Sequence, residues 1–148
     1  MRGTLPLFLV AAVAAACSSC HDNTDPGPTP AISVGGTYQT AVTLVSNDCP
    51  GQTVQQHPTV VNHVQGGEAL SLVHAGSTYS GTLTNDGAFS TPPVTQVFDG
   101  ISYAISITGQ FTETTIDALV LVEAGRQPPC SFTARWAGPK SGDPNVIP

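Results

Sequence analysis

A chain of 148 residues is one domain's worth of sequence, and its 40% hydrophobic content, rich in β-branched residues, argues against intrinsic disorder. Only 9% of the residues are charged. Beyond position 17 three basic residues, Arg126, Arg135 and Lys140, stand against ten acidic ones, and this balance of −7 argues against nucleic acid as a partner. The chain opens with Arg2 and a twelve-residue apolar run from Leu5 to Ala16. That run is too short to cross a bilayer and has the length of a signal-peptide core. Residues 21–34, with three prolines and small polar side chains, read as a spacer.

The junction AAACSSCHD resembles the lipobox of bacterial lipoproteins, with small residues Ala14, Ala15 and Ala16 before Cys17. The resemblance implies that Cys17 is acylated, becomes the new N-terminus and ties an exported protein to a membrane of the cell envelope. Ala14 stands where leucine is more usual. Ordinary cleavage that leaves Cys17 unmodified, and anchoring at Cys20, are the alternatives. A zinc or redox reading of Cys17-x-x-Cys20 lacks a second cysteine pair.

The middle of the chain alternates with a period of two and offers no sustained helical period. Tyr38, Val42 and Leu44 share a face; so do Leu70 and Leu72, Tyr79 and Leu83, and Tyr103, Ile105 and Ile107. Ile116, Ala118, Val120 and Val122 follow, then Phe132, Ala134 and Trp136. Turn signals separate these runs, among them Ala75-Gly76, Asn85-Asp86-Gly87 and Asp99-Gly100. Strands are expected over residues 36–46, 57–64, 68–75, 78–85, 88–98, 101–109, 114–124 and 130–137. Pro92 and Pro93 should bulge or bend the fifth. The expected organisation is a signal peptide over 1–16, an anchor and tether over 17–34, an all-β domain over 35–138 and a flexible tail over 139–148.

With Cys17 taken as the anchor, a bridge between Cys49 and Cys130 is expected in an oxidising compartment. Cys49 ends the first strand and Cys130 begins the last, so the bridge implies that these strands are neighbours and that an antiparallel up-and-down meander closes into a small barrel. The alternative is a β-sandwich. An immunoglobulin-type one would want tryptophan between the cysteines, whereas the one Trp of the chain, Trp136, follows both.

Gly36-Thr37-Tyr38 on the first strand and Arg135-Trp136 on the last are similar to the opening and closing signatures of lipocalins and related calycins, with Tyr38 in place of the usual tryptophan. The resemblance implies a closed barrel holding an apolar ligand, with the guanidinium of Arg135 covering Tyr38 at a plugged end. Strict alternation from Phe132 and Trp136 instead sends Arg135 outward.

Catalytic signatures are absent from the sequence. Gly100-Ile101-Ser102-Tyr103-Ala104 ends in alanine where a nucleophile elbow has glycine, and it falls in a hairpin. His57 and His63 stand ~20 Å apart on a regular strand, too far to share a metal, although His74 could approach across a hairpin. No enzyme activity, cofactor or metal is expected. The expectation is a lipid-anchored envelope lipoprotein whose partners are the membrane, through its anchor, and a small apolar ligand or lipid; the alternative is a structural or protein-interaction module of the envelope.

Overall fold

Residues 30–148 are described by the computed structural model, so the apolar leader, Cys17 and Cys20 lie outside the described residues. The alternating runs form nine strands: β1 (Gly36–Tyr38), β2 (Ala41–Asn47), β3 (Thr59–His63), β4 (Ala69–His74), β5 (Ser77–Leu83), β6 (Ala88–Phe98), β7 (Ile101–Phe111), β8 (Thr115–Ala124) and β9 (Cys130–Ser141). In β8 every second residue from Ile116 to Ala124 is buried, and the same holds for Phe132, Ala134 and Trp136 in β9. Period-two burial of this kind puts one face of each strand on the core and the other in solvent.

Sequence neighbours from β3 to β9 pair antiparallel, and β1 pairs with both β3 and β9. The sheet therefore closes on itself as an eight-stranded barrel, which excludes the sandwich. Its first position is filled by β1 and β2 in series. β1 meets the end of β9 (Tyr38↔Lys140), and β2 meets the rest of it (Val42↔Trp136). Where a single first strand is expected, the chain breaks at Gln39 and Thr40. The Gln39 N–H bonds the Pro139 carbonyl at 2.8 Å. The crossing is close: a Cβ at Gly138 would lie 2.0 Å from the Gln39 carbonyl oxygen, so only glycine fits there.

Two further boundaries differ from the sequence reading. Residues 139–148 are not a loose tail. β9 runs on to Ser141, Ser33 and Val146 form a bridge, Asn145 is buried and Ile147 packs on the core. The last residues of the expected tether belong to the barrel as well, since Ile32 and Val34 are buried. Few local cues mark such segments, because their burial depends on a surface that exists only after closure.

Pro92 and Pro93 act as expected. The β6–β7 register shifts between Thr91 and Val94, and the hydroxyl of Thr91 accepts the Ile107 N–H at 3.0 Å. On the other side of β6 the ladder to β5 holds only Thr82↔Ser90 and Leu83↔Phe89. Prolines have no N–H to donate, so β6 parts from β5 there.

The β4–β5 and β6–β7 hairpins turn on two residues each, with both in the left-handed region: Ala75 (φ 48) and Gly76 (φ 79), Asp99 (φ 51) and Gly100 (φ 77). These are type I′ values. Alanine is a poor occupant of the first position because its Cβ crowds the carbonyl there. Replacing Ala75 by asparagine should therefore stabilise the barrel by about 0.5–1 kcal/mol, seen as a higher thermal midpoint. An unchanged or lower midpoint would contradict this account of the turn.

Candidate functional site: the open mouth of the barrel

The two ends of the barrel differ. At one end lie the segments around Val34 and Val146, and it is plugged. The Tyr38 hydroxyl donates to the Val34 carbonyl at 2.7 Å or to Asn145 Oδ1 at 2.8 Å, and Asn145 Nδ2 donates to the Thr112 carbonyl at 2.6 Å. The Tyr38 ring lies 5.5 Å from that of Phe111, which in turn stands 4.7 Å from Phe89. Burial of the phenol pushes its pKa up to about 12.

At the other end sit the disulfide, three hairpin turns and the β2–β3 connection. Cys49 and Cys130 are bridged, with Cα atoms 5.2 Å apart. Cys130 follows the β8–β9 turn, where Arg126 Nε donates to its sulfur at 2.9 Å. β2 has no strand partner on its outer edge beside Val42. The side-chain amide of Gln56 stands in for one, accepting from Val42 N–H and donating to Val42 C=O, both at 2.8 Å. At this end β6 has left the β5 ladder, and the Ser77 hydroxyl donates to Gln96 Oε1 across the gap at 3.2 Å.

A hollow of about 540 Å³ occupies this mouth. Its floor and walls are Tyr103, Ile105, Val122 and Phe132, on the inward faces of β7, β8 and β9. Phe98 and Asp99 of the β6–β7 turn and Gln52, Thr53 and Gln55 of the β2–β3 connection form the rim. Phe98 is 53% exposed, and its ring stands 5.9 Å from that of Tyr103. Depressions of about 540 and 590 Å³ also lie on the outer wall, but both are more open to solvent than the mouth.

Below the mouth, polar groups are buried in a chain. Thr40 donates to the His57 carbonyl at 2.8 Å, which leaves its oxygen to accept from Thr59 at 2.9 Å. Thr59 in turn accepts from His74 Nδ1 at 2.9 Å. This sequence of single protons fixes His74 as the Nδ1–H tautomer. Its ring stacks on Trp136, with centroids 3.8 Å apart and planes 14° apart, and the His57 ring meets it edge-on at 5.8 Å. Two histidines thus meet, as the hairpin allowed. Among the described residues, however, no three His, Cys, Asp or Glu side chains converge as a metal site. His63 stands apart: its Nδ1 accepts from Val34 N–H, and its Nε2 donates to the Gly67 carbonyl at 2.8 Å.

Burial, and secondarily repulsion from His57, lowers the His74 pKa from 6.5 to about 4. Between those values the unfolded chain takes up a proton that the folded chain refuses. Stability is therefore full above pH 6.5 and falls as the pH drops toward 4. Urea unfolding at pH 7 and pH 5 should differ by about 1–2 kcal/mol, after allowance for the ring's partial hydration, and His74→Gln should flatten that difference. Equal pH slopes in parent and variant would remove His74 as the cause.

Of the residues singled out in the sequence, Tyr38 and Trp136 face the interior, at the plug and in the core. Arg135 does not cover Tyr38. It lies on the outer wall with its side chain 51% exposed and pairs with Asp117, Nε to Oδ1 at 2.7 Å. The Arg135 guanidinium holds the Asp117 carboxyl below its usual range. Alternation from Trp136 sets this orientation, so the calycin-type cap implied by the resemblance is absent from the barrel. The mouth residues were not singled out. His74 enters the sequence reading only as a histidine that a hairpin brings toward the other two, Phe98 as the end of the fifth expected strand and Asp99 as a turn residue. In comparisons with known proteins, no family model matches the chain, and no curated protein or solved structure matches it.

Proposed function

We propose that this is an exported envelope lipoprotein, lipid-anchored at Cys17, whose non-catalytic barrel binds a small apolar ligand or lipid in its open mouth. The observation that carries the binding reading is the contrast between the ends. One is sealed by Tyr38, Asn145 and the bridged segments at Ser33 and Val146, while the other holds a concave, aromatic-walled hollow large enough for a small molecule. The Cys49–Cys130 bridge supports an oxidising, exported setting. The leader and the lipobox-like junction support the anchor.

The test is titration with the neutral fluorophore N-phenyl-1-naphthylamine. Saturable enhancement is expected for the parent, and at least a tenfold loss for Val122→Phe, which fills the floor. Equal enhancement by parent and filled variant would place the probe elsewhere and defeat the reading. Intact-mass analysis of protein extracted from its native membrane reports acylation at Cys17 in parallel.

A second reading, an interaction module, draws on the outer wall. Val45, Leu119 and Leu121 are 59%, 46% and 42% exposed there, beside the Asp117–Arg135 pair. Retained binding partners in the face of a probe-silent mouth would favour it.

A further inference from the structure

We infer that the mouth selects an amphiphile with a cationic head over one with an anionic head; this rests on the binding reading above. The argument begins with where the few charges lie. Asp99 is on the rim of the hollow, in a turn whose left-handed backbone holds it beside Phe98. Two further carboxylates, Asp48 and Glu123, border a small depression beside Cys130 at the same end of the barrel. The cations are placed elsewhere. Lys140 lies at the plugged end, its side chain running past Gly36. Arg135 is bound to Asp117 on the outer wall. Arg126 is the one cation at the mouth end among the described residues, and it does not line the hollow. Its Nε is engaged by the Cys130 sulfur, and its Nη2 is buried without a partner.

An apolar tail therefore fits among Ile105, Val122 and Phe132, and its head emerges among a carboxylate, side-chain amides and two aromatic rings. A carboxylate or phosphate head finds no guanidinium or ammonium there and meets like charge. An ammonium head finds the opposite charge of Asp99 and, over a ring face, the negative side of the Phe98 or Tyr103 quadrupole. Aromatic rings attract cations through their quadrupole, and they do so most strongly where water is partly excluded. The amides of Gln52 and Gln55 serve either sign, so they do not discriminate. The preference comes from the carboxylate and the ring pair.

The test is displacement of N-phenyl-1-naphthylamine by three ligands of equal chain length: decyltrimethylammonium, decanol and decanoate. At low ionic strength the ammonium should displace at about tenfold lower concentration than decanoate, with decanol between them. Asp99→Asn should narrow the cation–anion gap to about threefold. This surface substitution keeps a residue that tolerates the left-handed turn, so the fold is retained. Three equal displacement curves, or decanoate strongest, would overturn the charge preference and leave the binding reading intact. A gap that Asp99→Asn does not narrow would overturn the role given to Asp99. Failure of the probe to bind the parent at all would overturn the binding reading, and this inference with it.

Discussion

Trp136→Ala should lower the unfolding free energy by about 3–5 kcal/mol, the range for truncating a buried large aromatic. Trp136 is 5% exposed and lies among four other strands of the barrel. It pairs across the ladders with Val42 of β2 and Ala118 of β8, stacks on His74 of β4 and takes Tyr79 of β5 at 6.1 Å, edge to face. Its neighbours cannot all collapse into the space left, because His74 is tied to Thr59 and Ala118 is too small to reach. Urea unfolding followed by far-ultraviolet circular dichroism measures the loss. His74 supplies an internal check. Without the indole over its ring it should hydrate, so the drop in stability between pH 7 and pH 5 should shrink. A loss under ~1 kcal/mol would mean that the barrel is not centred on this stack.

The parity of the strands was legible because solvent and core alternate along each one. From that parity alone Trp136 belongs inside and Arg135 outside, and so they are found. Closure was legible too, from two cysteines at the end of one strand and the start of another. Less local features were not. The break at Gln39 and Thr40 follows from Gly138, a hundred residues away, which lets the strands cross closely. The β2 edge is completed by a side chain, Gln56, inside a segment with no strand pattern. Asn145 reads as part of a proline-ended tail until Tyr38 is placed opposite it. The mouth is legible only in retrospect. Pro92 and Pro93 forecast a bent strand, but the hollow is walled by β7, β8 and β9 and rimmed by a connection, residues 52–55, that has no strand pattern.

Replacing both Cys49 and Cys130 by serine should lower stability by about 2–5 kcal/mol while leaving the strand content in place. The bridge joins residues 81 apart, and closing a loop of that length removes about 4.5 kcal/mol of chain entropy from the unfolded state, an upper figure. The folded barrel has other closures, since β1 and β2 both pair with β9 without help from the sulfurs. Secondary structure should accordingly survive, and circular dichroism of the variant should match the parent at low temperature. The loosening should concentrate at the mouth. Cys49 begins the connection that carries Gln52, Thr53 and Gln55 to the rim and Gln56 to the β2 edge. Beyond Gln56 that connection gains no ladder partner until β3 begins at Thr59. Amide exchange of residues 48–58 should therefore speed up more than that of β7 or β8, and N-phenyl-1-naphthylamine should bind more weakly. If the serine variant unfolds within ~1 kcal/mol of the parent, the bridge does not restrain the unfolded chain as described. If it loses stability but binds the probe unchanged, the connection does not shape the hollow, and the walls contributed by β7, β8 and β9 suffice.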